Sequence, residues 1–249
     1  MKAIFIAAGE GSRMNNLTVN TPKPLIDVNG KSILQRQICL LQKFHIDEIL
    51  IITGPFSNKY TFENVSYIND KNFKKHDQLG SLGTALNEIH GDVLIIFGDI
   101  LFDKSVLYSV CKNNADIVLA VDMNWDKYLD RYDNPLENSD KVGMIDGQIK
   151  RIFKDKTEQD KKFDIGEFIG LMKLNDIGSK KFKQIFLDLQ KNHSGKFHDA
   201  NSFHDAKLVD FLQEMIEQKI KIMPEIIDGL WCEIDTVQDL EIAKKKFTE

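Results

Sequence analysis

Five short runs of branched apolar residues alternate with amphipathic stretches through the first half of the chain, and this rhythm restricts the fold more than any other feature. The runs span 3–7, 48–53, 65–68, 93–97 and 116–121. Between them, Ile33, Leu34, Gln37, Ile38, Leu41 and Phe44 recur at helical spacing, and 82–90 and 104–113 carry helical patterns as well. Strands that read as continuous apolar runs are buried on both faces. The succession therefore predicts an α/β protein with a doubly wound, mostly parallel, Rossmann-like sheet.

The rhythm changes after Val121. Residues 123–141 are polar and aromatic, and Asp146-Gly147 marks a hairpin within 141–153. Residues 163–174 and 221–226 predict strands. Helices are expected over 176–192, 203–218 and 236–247, with Thr236 as cap of the last. No repeat or low-complexity tract interrupts the chain, so one domain over 1–249 with an elaborated C-terminal half is expected.

Composition excludes several classes of function. No apolar run approaches the roughly 20 residues of a spanning helix, so no membrane partner is expected. The net charge of −5 and a pI near 5.7 argue against a nucleic-acid partner. Cys39, Cys111 and Cys232 form no CxxC pair, and no secretory signal pattern follows Lys2. Reduced thiols in a cytoplasmic protein are the expectation. An anionic ligand must then be met by local positive charge.

Such charge stands beside the first predicted strand, which runs straight into Ala7-Ala8-Gly9-Glu10-Gly11-Ser12-Arg13-Met14. A glycine loop at this place in a parallel sheet lets backbone N–H groups approach phosphate. Met14 stands where the dinucleotide fingerprint needs a third small residue, and no Gly-Lys-Ser/Thr follows, so neither that fingerprint nor a P-loop is present. Gly9 and Gly11 alone would also suit a plain turn. Arg13 and Lys23, the latter held between Pro22 and Pro24, add two cations suited to a triphosphate.

Ala7-Ala8-Gly9-x-Gly11-Ser12-Arg13 with Pro22-Lys23-Pro24 resembles the opening of the nucleoside-triphosphate-dependent nucleotidyltransferases. The resemblance implies that Ala8, Gly9, Gly11, Ser12, Arg13 and Lys23 hold the triphosphate. Two aspartates fit the same chemistry. Asp99 follows the apolar run 93–97, and Asp235 precedes the last predicted helix. Magnesium takes one or two carboxylates plus phosphate oxygens, and the resemblance implies that Asp99 and Asp235 share Mg2+. Asp103 is a weaker third, better placed as a helix cap. Gln78 and Ser81 open a predicted helix whose N–H groups suit an anion or a base edge. The resemblance places that segment against the nucleotide, although an ordinary helix capped by Ser81 fits as well.

Further phrases narrow the likeness. Gly98-Asp99-Ile100-Leu101-Phe102, Ala120-Val121-Asp122-x-x-Trp125, Gly166-Glu167-Phe168-Ile169-Gly170 and Trp231-x-Glu233-Ile234-Asp235-Thr236 together resemble the cytidylyltransferases that activate phosphonates or phosphocholine. Among these, the chain resembles the type often associated with phosphoenolpyruvate mutase. Residues 1–121 would then bind the nucleotide, and 122–249 would bind the acceptor and close over it. Asp122, Trp125, Tyr128, Arg131, Glu167 and Trp231 form a mixed aromatic and acidic set suited to a small zwitterion, though each aromatic alone would also serve as a loop anchor.

The reaction expected is transfer of CMP from CTP to a small phosphonate or phosphorylated acceptor. A sugar 1-phosphate acceptor is the first alternative, and a non-catalytic nucleotide binder of the same fold is the second. Lys154, after the hairpin, is a further candidate for the phosphates. Asp103 stands where the family pattern has a basic residue, and Gly83 where it has a larger one. The sequence leaves the oligomeric state open, a homodimer included.

Overall fold

A computed structural model describes residues 1–127, 139–154 and 158–248, with only the backbone of Ser12, Asn15, Glu158 and Gln159. In chain order the elements are β1 (Lys2–Ala7), β2 (Asp27–Val28), β3 (Lys31–Ser32), α1 (Ile33–Lys43), β4 (Glu48–Thr53), β5 (Ser66–Asn69), α2 (Gln78–Thr84), β6 (Val93–Phe97), β7 (Ile100–Phe102) and α3 (Lys104–Lys112). There follow β8 (Ile117–Asp122), β9 (Lys141–Ile145), β10 (Gln148–Phe153), β11 (Asp164–Leu174), α4 (Asp176–Asn192), α5 (Leu208–Glu217), β12 (Met223–Ile226), β13 (Trp231–Glu233) and α6 (Val237–Lys246). Among the described residues, no helix is long and apolar enough to cross a membrane.

The main sheet has the order β10-β9-β11-β6-β1-β4-β5, with β8 on β11 and β12 on β8. Its N-terminal half is parallel: β1 pairs with β4 and β6, and β4 with β5. Every side chain of β1 and of β6 is buried. That is the burial a parallel sheet with covered faces demands. Each fully buried Ile, Leu, Val or Phe there contributes roughly 1.5–3 kcal/mol.

The second half departs from the parallel pattern. Strand β11 runs antiparallel to β6, β8 and β9. Its register on β8 shifts between Phe168 and Met172. Gly170 lies inside that shift with φ +84°, and a Cβ there would meet the Phe97 ring at 2.6 Å. Glycine is needed for both reasons.

Helix boundaries follow local capping. Ser32 caps α1 by accepting from the Gln35 N–H, Asp103 caps α3, and Thr236 forms a capping box with Asp239 at α6. Helix α2 corrects the sequence expectation. It covers Gln78–Thr84, not 82–90, and its cap is Asp77, with Ser81 inside the helix. A 3-10 turn over Leu86–Glu88 accounts for the apolar spacing further on.

One small sheet went unforeseen and positions the site. Strand β13 pairs antiparallel with β7, Trp231 opposite Phe102 and Glu233 opposite Ile100. The Ile234 N–H then donates to the Asp99 carbonyl at 2.9 Å. This ladder carries the C-terminal carboxylates to the end of β6.

Candidate active site

The loop after β1 and the turn after β6 open on a cavity of about 200 Å³ lined by Gly9, Gly11, Arg13, Lys23, Asp99 and Asp235 among others. Gly11 has φ +65°, and a Cβ there would lie 2.8 Å from Lys23 Cβ. The carbonyl of Gly11 accepts from Thr18 Oγ1 at 2.9 Å, which fixes the loop. Ala8 is buried behind the cavity, where Gly54 packs against its carbonyl. The Pro22–Pro24 bend continues as one 3-10 turn, Lys23–Leu25, and holds Lys23 buried. Gly98 leaves room for the ring of Pro24.

Lys23 Nζ donates to Asp99 Oδ2 at 2.8 Å and also to Asp235 Oδ1. Arg13 Nη1 pairs with the other oxygen, Asp235 Oδ2, at 2.8 Å. The Lys23 side chain is 9 % exposed and that of Arg13 59 % exposed, so the first is fixed in the interior and the second faces solvent. Burial pulls the Lys23 pKa down, but the charges of Asp99, Asp235 and Glu233 outweigh it and leave it raised. Lys23 is therefore a permanent cation.

Glu233 is the acid that sequence reasoning passed over, although it lies inside one of the phrases quoted above. Carboxylate oxygens of Asp99, Glu233 and Asp235 lie within 4.8 Å of one another. Glu233 ends β13, two residues before Asp235, and a strand of three residues carries no period in the sequence that could have singled it out. This set fits a divalent cation. The donors are all oxygen, as magnesium requires, and Asp99 Oδ1 is buried with no hydrogen-bond partner among the described residues. A cation held there would neutralise charge on bound phosphate oxygens.

The remaining sequence candidates separate. Ser81 Oγ donates to Asp70 Oδ2 at 2.7 Å, and His76 Nε2 meets the same oxygen at 2.7 Å. The Ser81 hydroxyl is thus committed inside the protein, and Gln78 Oε1 accepts the Leu208 N–H at 3.4 Å. Neither side chain lines the glycine-loop cavity.

In the acceptor set, Asp122 is buried and accepts from Trp231 Nε1 at 2.6 Å and from the Asn124 N–H at 2.8 Å. Trp125 is buried, donates to the Ile165 carbonyl at 3.1 Å and carries Lys141 Nζ over its ring at 5.5 Å. Glu167 and Trp231 line a cavity of about 30 Å³ with Asp140 and Glu233. The structure thus brings Glu167 and Trp231 into one cavity with Glu233, ties Asp122 to Trp231, and sets Trp125 as an anchor. Tyr128 and Arg131 lie outside the described residues. Asp103 is a cap. Lys154 Nζ stands 3.8 Å from Asp140 Oδ1.

A glycine loop, two cations and three converging acids are the parts needed to bind a nucleoside triphosphate. Residues 3–134 match the MobA-like NTP transferase domain. The chain belongs to the MobA-like NTP transferase family. It is a nucleotidyltransferase.

This transferase is 28% identical to the CTP:phosphoglutamine cytidylyltransferase of Campylobacter jejuni over 99% of this chain and 100% of that protein. It is 25% identical to the bifunctional protein GlmU of Methanococcus vannielii over 99% of this chain, and spans 55% of that longer protein. It shares its fold with the CTP:phosphocholine cytidylyltransferase LicC from Streptococcus pneumoniae, at TM-score 0.74 and 20% identity over 98% of this chain and 97% of that one.

Proposed function

We propose that this transferase is a Mg2+-dependent cytidylyltransferase that joins CMP from CTP to a small phosphorylated or phosphonate acceptor. The observation that carries this reading is the buried Lys23 ammonium bridging Asp99 and Asp235 at the foot of the glycine loop. The full-length likeness to a CTP:phosphoglutamine enzyme supports the choice of CTP and of a phosphorylated acceptor.

An acceptor phosphate or phosphonate oxygen attacks the α-phosphorus of CTP. A new P–O bond forms, the α–β bridging bond breaks, and its electron pair leaves with pyrophosphate. The attacking oxygen is already ionised, so no proton has to be removed. The barrier lies in bringing anions together and in the charge that grows on the leaving group. Arg13, on the open side, is placed to meet the triphosphate, and Lys23 holds the carboxylates at one point. Mg2+ on Asp99, Glu233 and Asp235 would supply the remaining neutralisation.

On this reading residues 1–121 serve the nucleotide, residues 122–249 serve the acceptor, and the location is cytoplasmic. The test crosses four nucleoside triphosphates with 2-aminoethylphosphonate, 2-hydroxyethylphosphonate, phosphocholine, phosphoglutamine and glucose 1-phosphate, following pyrophosphate. Release that needs CTP and one of the first four acceptors is expected. Release only with glucose 1-phosphate would replace the reading with its sugar alternative.

A further inference from the structure

One buried carboxylate has no part in the transfer chemistry: Asp70, whose side chain is 1 % exposed. Strands β1, β4 and β5 run parallel, with Ala7 opposite Thr53 and Thr53 opposite Asn69, so all three end at one edge of the sheet. Asp70 follows directly, and its N–H donates to the Thr53 carbonyl at 2.8 Å. Neighbouring strands lie about 4.8 Å apart, which puts Asp70 roughly 10 Å along that edge from the end of β1 and its glycine loop. The segment after Asp70 closes the gap. Lys74 Nζ pairs at 3.4 Å with Oε1 of Glu10, the residue between Gly9 and Gly11.

Asp70 gathers groups from three places in that segment. Oδ2 accepts from Ser81 Oγ at 2.7 Å and meets His76 Nε2 at 2.7 Å, and Oδ1 accepts from the Asn72 N–H at 2.9 Å. The carboxylate fixes the imidazole tautomer with its proton on Nε2. The His76 ring lies directly on the first turn of α2, where a Cβ at Gly80 would come within 2.4 Å of it. One side chain thus ties residues 70–77 to α2. The helix has a tether of its own as well, because the Leu79 N–H donates to the Ala206 carbonyl at 3.1 Å. Loss of His76 would therefore loosen the segment without releasing the helix.

The edge of a parallel sheet at the carboxyl ends of its strands is where such folds seat ligands. Asp99 reaches the glycine loop from the β6 side, and the reacting phosphorus belongs with it. The β4–β5 side is left for the nucleoside. The polar ends of Gln78 and Ser81 are already bonded within the protein on that side. The network there holds a surface in place and does not itself touch the ligand.

We infer that Asp70 is a positioning residue for the nucleotide: through His76 and Ser81 it holds residues 70–81 as the wall beside the glycine loop against which the nucleoside of the triphosphate packs. This rests on the triphosphate-binding part of the reading above and is independent of the acceptor.

The test measures CTP binding calorimetrically with magnesium and no acceptor, and steady-state rates with acceptor, on the full chain. His76→Ala removes one hydrogen bond to a charged group, so CTP binding should weaken and its KM rise about tenfold. The kcat and the acceptor KM should stay within about twofold. His76→Gln, whose amide nitrogen replaces Nε2 as donor to Asp70, should bind CTP within about threefold of the parent. Asp70→Asn should match His76→Ala. A folded His76→Ala variant that binds CTP as the parent does, one that loses kcat with the KM for CTP unchanged, or a His76→Gln variant no better than His76→Ala overturns the inference. A parent that binds UTP in place of CTP overturns the choice of CTP alone, and the same variants are then read with UTP. A parent that binds none of the four triphosphates overturns the reading above, and this inference with it.

Discussion

Lys23 donates to Asp235 from 212 positions away in the chain, and the same ammonium takes Asp99 at 2.8 Å. One buried cation therefore gathers carboxylates that arrive from β6 and from the end of β13. The turn that holds it, Pro22–Pro24, is as much a part of the fold as of the site.

Replacing Lys23 with Met removes the buried counter-charge that Asp99 and Asp235 share and leaves only the half-exposed Arg13 on Asp235. Breaking a buried pair from one side costs about 3–5 kcal/mol, so the variant should melt well below the parent, and magnesium should recover part of the difference. Because the Lys23 pKa is raised on folding, its contribution is fully present below the unfolded value, near about 10.4. It is lost only as pH rises through the still higher folded value. Thermal melts with and without magnesium check this; equal melting temperatures for variant and parent contradict the pairing.

Glu233→Gln keeps the size of the side chain and removes one of the three converging charges. Turnover should fall on the order of 10²-fold, and the magnesium concentration giving half-maximal rate should rise. Steady-state rates across a magnesium titration measure both. An unchanged magnesium requirement would take Glu233 out of the site.

Gly11→Ala tests the loop. Its φ of +65° and the 2.8 Å approach of Lys23 Cβ leave no space for a methyl group. The substitution should cost about 1–2 kcal/mol of stability and raise the KM for CTP several-fold by displacing Lys23. Gly9→Ala is the control, since a Cβ there would meet nothing within 4 Å.

Asp103→Ala separates scaffold from chemistry. Asp103 Oδ1 accepts from Ser105 Oγ at 2.6 Å and from the Ser105 and Val106 N–H groups, and Oδ2 accepts from Leu230 N–H at 3.1 Å. Burial pushes this carboxyl up, but those hydrogen bonds outweigh it and leave its pKa lowered. Loss of the cap should cost about 1–2 kcal/mol with turnover at 25 °C nearly unchanged. A lowered carboxyl stabilises above its unfolded pKa, near about 3.9, and loses that contribution as pH falls through the folded value. Urea melts at pH 7 and pH 3 should therefore show the gap between variant and parent narrowing in acid.

Much of this architecture was legible in the chain. The buried runs at 48–53 and 93–97 became β4 and β6 with the expected bounds, because strands covered on both faces leave an uninterrupted apolar signature. Asp103 and Thr236 cap helices as expected. The antiparallel direction of β11 was not legible, since a buried strand reads alike in either direction. Glu233 was missed for a related reason. Its role depends on β7 pairing with β13, two strands of three residues each, too short to show a period. The aromatic set was read as a pocket, yet Trp231 spends its N–H on Asp122 and Trp125 spends its own on Ile165. Composition announces aromatic side chains without telling what their polar ends are bonded to.

The most direct test of the converging carboxylates and Lys23 as a nucleotidyl-transfer centre is pyrophosphate release from CTP, measured with the preferred acceptor and magnesium for the parent, Asp99→Asn and Asp235→Asn. Each variant should fall at least about 10²-fold in turnover while its far-UV circular dichroism matches the parent. A folded Asp99→Asn or Asp235→Asn variant turning over at close to the parental rate contradicts the account.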